Sequence, residues 1–173
     1  MFRHTYLQNG TILLAALVTG IMAGFFYAYT FNVNLAMLEV DGETYATMQS
    51  LFNQNVRHFT FFILFFGGGA VPLIALAANW RSYRTAPFWL IVVAGVIYIT
   101  AIIMFTANVN LPLNAYTESW DPQAVPDDWM EVRAAWNRAN AFRVFASCTA
   151  FTLYLLALVI RASTPVMVSE NER

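Results

Sequence analysis

The chain has 173 residues, of which 59% are hydrophobic and only 11% are charged. A soluble domain carries about 25% charged residues, so this composition excludes an ordinary soluble protein and indicates a membrane domain. The formal net charge is −1 and all nine positive residues are arginines, which leaves no basic surface to indicate nucleic acid as a partner.

Four apolar stretches are long enough to cross a bilayer, which takes about 20 residues of helix. They contain no acidic residue, and Arg143 is the one basic residue among them. The first is too long for a cleaved signal peptide and lacks a small-x-small cleavage site, so we expect it to be retained. The stretches cover residues 11–31, 59–78, 87–107 and 142–160. The sequence therefore predicts an all-α, multi-pass integral membrane protein that is a single domain over 1–173 and contacts the lipid bilayer.

Arginines lie at the chain ends and in the short connection at 79–86, whereas acidic residues lie in the two long connections. The arginines in question are Arg3, Arg81, Arg84 and Arg161. Positive residues in short loops stay on the cytoplasmic side. The pattern predicts that both termini are cytoplasmic, including a tail at 161–173, as in a bacterial inner-membrane protein. Both long connections would then face outward.

The chain also repeats itself. Asn32-Val33-Asn34-Leu35 at the end of the first stretch recurs as Asn108-Val109-Asn110-Leu111 at the end of the third. Each motif leads into a polar connection, then an Asn/Arg cluster, then another apolar stretch, as expected of a duplicated unit. Both units begin on the same side, so they would be parallel repeats. We predict a four-transmembrane-helix bundle made of two parallel helix–loop–helix repeats, over 11–78 and 87–160, with both motifs near the outer face.

Polar side chains at the outer helix ends are the candidates for binding or chemistry. A polar group at membrane depth costs free energy unless it is paired, so these side chains either pair with one another or bind something polar. The alternative is that the amides only cap helix ends and hold the connections in place. Aromatic side chains nearby would form either an interfacial belt or the walls of a pocket. The polar candidates are Asn32, Asn34, Asn108, Asn110, Asn114, Asn140 and Arg143, and the aromatic ones are Tyr27, Tyr29 and Trp136.

Several other classes of protein lack the residues they need. The four stretches hold no carboxylate for proton-coupled transport, and the single cysteine, Cys148, excludes a thiol pair. His4 and His58 lie at opposite ends of the predicted bundle, so they cannot jointly bind a metal or haem. We expect no metal and no cofactor. An accessory subunit that packs on other membrane subunits stays open, and Gly20 and Gly24 form a small-xxx-small face that would suit it.

Four motifs spread over most of the chain are best considered together, because they match one known pattern. They are Gly-Phe-Phe-Tyr-Ala-Tyr at 24–29, Met-Gln-x-x-Phe-Asn at 48–53, Asn-Val-Asn-Leu-Pro-Leu-Asn at 108–114, and Trp-x-x-x-Asn-x-x-Arg at 136–143. Together they resemble the anthrone oxygenase-like (DUF1772) membrane proteins, from about residue 10 to residue 160. The resemblance implies a four-helix membrane bundle; some members are associated with oxidising an anthrone to an anthraquinone with O₂ and no evident cofactor. The positions that match the family are Asn108, Asn110, Pro112, Asn114, Trp136, Asn140 and Arg143, and Ala141 stands where members often have histidine.

The resemblance implies a specific site. An anthrone is a weak carbon acid whose carbanion reacts with O₂, so the protein need only remove a proton and stabilise the enolate. His58 would be the base, because imidazole titrates near neutrality, with Asn110, Asn140 and Arg143 donating to the oxyanion. The other candidates, Tyr27, Tyr29, Asn32, Asn34, Asn108, Asn114 and Trp136, would line a pocket of at least ~300 Å³. The hypothesis is a cofactor-independent oxygenase acting on a hydrophobic small molecule; the alternative is a non-catalytic accessory subunit.

Overall fold

The computed structural model describes residues 2–163, and it describes side chains from Thr5 onward. Within this range the chain is helical and forms no strand. The predicted tail beyond residue 163, and the side chains of Arg3 and His4, lie outside the described residues. The α-helices are α1 Phe2–Ala28, α2 Asn34–Ala36, α3 Gly42–Asn55, α4 Phe59–Asn79, α5 Ala86–Ile97, α6 Leu111–Glu118 and α7 Trp129–Ser163.

Four continuous helical stretches are long and apolar enough to cross a membrane, which confirms the predicted all-α membrane bundle. They are Thr5–Ala36, Phe59–Ser82, Ala86–Glu118 and Trp129–Ser163. Three of them extend well beyond the apolar runs. The fourth stretch begins at Trp129, well before residue 142, and in the first and third the helix does not stop at the asparagines. It continues through π-helical turns at Tyr29–Val33 and Thr106–Asn110. Asn108 shows how: its Nδ2 bonds back to the carbonyl of Met104 at 2.7 Å, so the amide satisfies its own helix.

Small side chains pack the centre of the bundle. α7 packs against α1 and α5, and α4 packs against the same two helices. The core between them is rich in alanine, which allows helix backbones to approach closely where no water drives association. Gly20 belongs to this packing, since a Cβ there would lie 2.9 Å from the Phe151 ring. Gly24 takes no part in this packing, because no other atom of the described residues lies within 4 Å of its Cβ position, so the suitability of the two-glycine face for another subunit stays a prediction.

The two ends of the bundle have different polar networks. At one end Arg161 donates to Asn9 and Gln8, each at 2.8 Å, which joins the end of α7 to the start of α1. At the other end both Asn-Val-Asn motifs lie beside α7, because Thr30 and Thr106 bond to neighbouring α7 side chains. We name this second end the amide end. The two motifs thus share one end, while the relation of the two halves as a repeat stays a prediction.

A polar cap covers the amide end. Asp41 begins α3 by accepting a hydrogen bond from the Thr44 amide at 2.9 Å. Hydrogen bonding with the Thr44 side chain, and next with this amide, holds the pKa of that carboxyl below its usual range. Arg133 on α7 donates to the Met37 carbonyl at 2.9 Å and lies 4.6 Å from the Trp129 ring centre. The connection that precedes α3 is therefore fastened to α7.

The orientation of the bundle in the membrane stays a prediction, and two exposed serines test it. In a Cys148→Ser background, a cysteine at Ser163 should resist an impermeant thiol reagent in intact cells, because the arginine-rich end should be cytoplasmic. A cysteine at Ser119, at the amide end, should react within the same labelling time. The reverse labelling pattern would show that the amide end faces the cytoplasm.

Candidate functional site

A crevice of about 50 Å³ lies at the amide end, with α1 and α4 on one side and α7 at its floor. Its walls are mostly aromatic, and its floor carries amides and one guanidinium. The volume admits water-sized molecules and is well below the ~300 Å³ at which drug-sized ligand pockets begin. The lining residues are Phe25, Phe26, Tyr29, Phe52, Asn53, Val56, Phe61, Asn114, Trp136, Asn140 and Arg143.

Among the residues that the structure describes, Arg143 is the one charged side chain that lines the crevice. The residue is 7% exposed. Its Nη2 donates to Asn140 Oδ1 at 2.6 Å and its Nη1 reaches Thr106 Oγ1 at 3.5 Å. Its Nε is buried without a hydrogen-bond partner, and no carboxylate among the described residues lies within ion-pair distance. A buried charge is costly without a counter-charge, so the Arg143 guanidinium can still bind an anionic or polar group.

Two aromatic rings hold the guanidinium in place. Its Cζ lies 4.6 Å from the centre of the Phe26 ring and 5.8 Å from that of Trp136. Such cation–π contacts are attractive, and more so when the cation has lost its water. Trp136 is itself fixed, since its Nε1 donates to Asn114 Oδ1 at 2.7 Å. The guanidinium is therefore positioned before any ligand arrives.

Asn140 links the charge to the first π-helical turn. Its Nδ2 donates to Thr30 Oγ1 at 2.7 Å and to the Phe26 carbonyl at 3.3 Å, while its Oδ1 accepts from Arg143. Thr30 and Thr106 both lie in π-helical turns, at Tyr29–Val33 and Thr106–Asn110. Such turns are rare, and they occur frequently at functional sites. Here each turn places one hydroxyl against the Asn140–Arg143 pair.

The structure brings together five of the predicted site residues and separates the other six. Tyr29, Asn114, Trp136, Asn140 and Arg143 line the crevice. Outside the lining are His58, Asn110, Tyr27, Asn32, Asn34 and Asn108. The roles of the first five in binding or catalysis stay predictions, whereas the placements of the others require correction.

His58 is exposed and does not line the crevice, so its predicted position as the base is wrong. It is the N-cap of α4, with extended backbone at φ −113° and ψ 162°. Its Nδ1 accepts from the backbone amide of Phe61 at 3.3 Å. The ring thus turns back onto its own helix and satisfies an amide that would otherwise lack a partner.

Asn110 is buried, but neither its Nδ2 nor its Oδ1 has a hydrogen-bond partner among the residues that the structure describes. The expected network of Asn110 with Asn140 and Arg143 is therefore wrong at this residue, because Thr106, one turn earlier, takes the contact with the guanidinium. Asn34 is likewise buried and its Nδ2 is unpaired. Unsatisfied buried amides are rare in proteins, so both side chains have hydrogen-bonding capacity for water or a ligand group.

Tyr27, Asn32 and Asn108 face outward. Tyr27 is 53% exposed, and its ring packs on that of Phe31 with 4.7 Å between ring centres. Consecutive residues of a helix point about 100° apart. Because Phe26 and Tyr29 face α7, Tyr27 must point away from it. The same rule turns Asn32 and Asn108 outward when Asn34 and Asn110 are buried.

Sequence reasoning missed several residues of the site, although a longer motif would have found two of them. The repeat extends backward to Thr-x-Asn-Val-Asn, at 30–34 and 106–110, and both threonines contact the Asn140–Arg143 pair. Phe52 and Asn53 belong to the 48–53 motif of the family resemblance, although neither was named as a site residue. Phe61 carried no such signal, because apolar residues near a helix end are common. Tyr29 lies beside the Gln49 amide, yet its buried hydroxyl makes no hydrogen bond of ordinary geometry.

Ala141 occupies the position where a histidine was expected. The residue is exposed on α7, directly after the buried Asn140 and two residues before the buried Arg143. A histidine side chain there would project away from the crevice. Its absence therefore removes no group from the crevice floor.

His58 offers a direct check on the corrected site. We expect His58→Ala to leave any activity of the crevice within about twofold, since the imidazole does not reach it. Loss of the cap should lower the free energy of unfolding by about 1 kcal/mol, and His58→Asn should restore most of it, because asparagine is a good N-cap. Thermal unfolding in detergent measures the second effect. A His58→Ala protein that is stable but inactive would return the histidine to the site.

Comparisons with known proteins add one match. A family model described as anthrone oxygenase matches residues 48–153, more than half of the chain. The matched range contains Asn53, Asn114, Trp136, Asn140 and Arg143 of the crevice. Searches of curated proteins and of solved structures gave no match.

Proposed function

Because the chain belongs to the anthrone oxygenase family, we propose that it is an oxygenase of flat aromatic ketones. Arg143 would bind the carbonyl oxygen of the ketone, and the protein would promote oxidation of the ketone by O₂. The observation that carries this proposal is the guanidinium itself. It is buried, lacks a carboxylate partner among the described residues and keeps an unpaired Nε. Preorganised donors in a water-poor site stabilise a developing oxyanion far better than water does.

The proposed chemistry needs an oxyanion site more than it needs a cofactor. Loss of a proton from the ring methylene of an anthrone gives an enolate, whose negative oxygen pairs with the guanidinium. The carbanion carbon then gives electrons to O₂ and forms a carbon–oxygen bond, leaving a peroxide that takes up a proton. Elimination of water from this hydroperoxide gives the quinone carbonyl. In sum, one ketone and one O₂ become one quinone and one water.

Among the described residues, the crevice lining includes no histidine and no carboxylate. We propose that the released proton passes to water and that the rate gain comes from favouring the enolate. Asn140 and Thr106 contribute by fixing the guanidinium, and the rings of Phe26, Trp136 and Tyr29 supply flat apolar walls for the substrate. The substrate class is thus a flat aromatic molecule with one oxygen that becomes negative during the reaction.

The small volume sets a condition on this proposal and favours the alternative. A three-ring molecule does not fit in about 50 Å³, so the crevice must widen when the substrate binds. A non-catalytic subunit of a larger membrane complex would have no such requirement. That alternative predicts that flat aromatic ketones neither bind at the crevice nor react faster in the presence of the protein.

Oxygen uptake by the purified protein separates the two proposals. The protein in lipid nanodiscs is mixed with an anthrone, and O₂ consumption and quinone formation are followed together against empty nanodiscs. We expect a rate above that background, with one O₂ used for each quinone formed, and an unchanged rate for Arg138→Leu, an exposed arginine on the same helix. A rate equal to that of empty nanodiscs would favour the subunit.

A further inference from the structure

The crevice reaches the surface of the protein between two membrane-spanning helices. Among its lining residues Phe25 on α1 is the exposed one, at 40%, while the others are buried or half-buried. The Phe25 ring lies 5.5 Å from that of Phe61 on α4, centre to centre. We call this pair of rings the mouth. Behind it the crevice leads past Tyr29 and Phe52 to Arg143.

The surface around the mouth is apolar. Ile21 on α1, and Phe62 and Phe66 on α4, are all exposed beside it. From Thr5 to the end of α1, and along the whole of α4, the chain carries no charged residue. Both helices belong to candidate membrane spans, so this surface is one that lipid would cover. A molecule at the mouth would therefore come from the hydrocarbon region.

The mouth is closed by side chains alone. Phe25 and Phe61 contact each other through their rings, so separating them breaks no hydrogen bond. The break between α3 and α4 is held more firmly than the mouth, because Arg57 in this break forms an ion pair with Glu118 at the end of α6. Ring rotation is thus the cheapest way to widen the crevice, and it widens the crevice toward lipid.

From these observations we infer that the substrate is an uncharged aromatic molecule dissolved in the bilayer, which enters sideways between α1 and α4, past Phe25 and Phe61. The reaction of this substrate rests on the proposed function, whereas its route into the crevice does not. The route has no charge to compensate an anion until Arg143, so the substrate must arrive neutral and ionise only at the guanidinium.

A photolabel tests the route without any turnover. An azidoanthracene that partitions into the bilayer is irradiated with the protein in nanodiscs, and the labelled residues are mapped by mass spectrometry. We expect the photolabel to attach to the deeper lining residues Tyr29 and Phe52. An excess of an anthrone without the azide should decrease this labelling, whereas glutathione in the water should not. If glutathione decreases the labelling of these residues, the crevice is open to water and the route is overturned. An absence of label behind the mouth would overturn the route as well.

Widening the mouth tests the same route through kinetics. Phe25→Ala and Phe61→Ala should lower the apparent KM for a bilayer-dissolved anthrone about threefold, since binding no longer requires the rings to part. Phe62→Ala is the control, because Phe62 is 41% exposed but does not line the crevice. Equal kinetics for all three variants would overturn the route. If the wild type oxidises nothing, the proposed function fails, and the photolabel still decides the route.

Discussion

Replacing Arg143 by leucine should reduce the oxidation of an anthrone to the rate seen in empty nanodiscs, a loss of about 10²–10³ in kcat. This is the size of effect found when one oxyanion donor is removed from an enzyme. Within the described part of the chain the guanidinium is the charged group of the crevice lining, and no described histidine or carboxylate of that lining can replace it. The rate is measured as quinone formation at saturating substrate.

Two further variants separate charge from folding. Arg143→Lys keeps the charge but loses the planar fork that bonds Asn140 and Thr106, so we expect a partial loss between wild type and Arg143→Leu. Arg84→Leu removes an exposed arginine from the connection at 79–86 and should change neither rate nor stability by much. Equal tolerance of Arg143→Leu and Arg84→Leu would show that the buried arginine has no special role.

Replacing Gly68 by alanine should destabilise the bundle by about 3 kcal/mol or more, because overpacking a buried site forces neighbours out of place. A Cβ at this position would lie 2.2 Å from Cζ of the Tyr98 ring. Tyr98 is fully buried, and its hydroxyl donates to the Phe65 carbonyl at 3.1 Å. The ring therefore cannot retreat without losing that bond. Thermal unfolding in detergent should show a markedly lower Tm.

The neighbouring glycine is the matched control. At Gly67 the nearest atom to an added Cβ is Val18 Cγ1 at 3.8 Å, which is an ordinary contact. Gly67→Ala should leave stability unchanged or raise it by about 0.5–1 kcal/mol, because alanine favours the helix. If both variants unfold at the same temperature, the contact of α4 with Tyr98 is looser than the structure shows.

Hydropathy was enough to predict the four membrane helices, because apolar length is what a bilayer requires. It did not predict where they end. Asparagine is a weak helix former, so the segments after residues 31 and 107 read as connections. In the structure Asn108 bonds to its own helix, and both segments continue as π-helical turns. A threonine of each turn contacts α7, and such tertiary contacts are not evident from hydropathy.

The site was predictable in its residue types and less so in its geometry. A charge at membrane depth needs partners, and on that ground Asn140 and Arg143 were paired correctly. Which of two nearby tyrosines faces inward depends on the rotation of α1 against α7, so Tyr27 and Tyr29 were not distinguished. His58 was misplaced because a histidine at a helix boundary serves as well for a cap as for a base.

An anaerobic titration tests the central claim, that Arg143 stabilises the enolate of an aromatic ketone. Without O₂ the enolate accumulates, and its absorption at longer wavelength than the ketone can be followed as pH is raised. With wild-type protein in nanodiscs, the enolate band should appear at a lower pH than with empty nanodiscs, and with Arg143→Leu the shift should vanish. An identical titration for wild type, Arg143→Leu and empty nanodiscs would contradict the account.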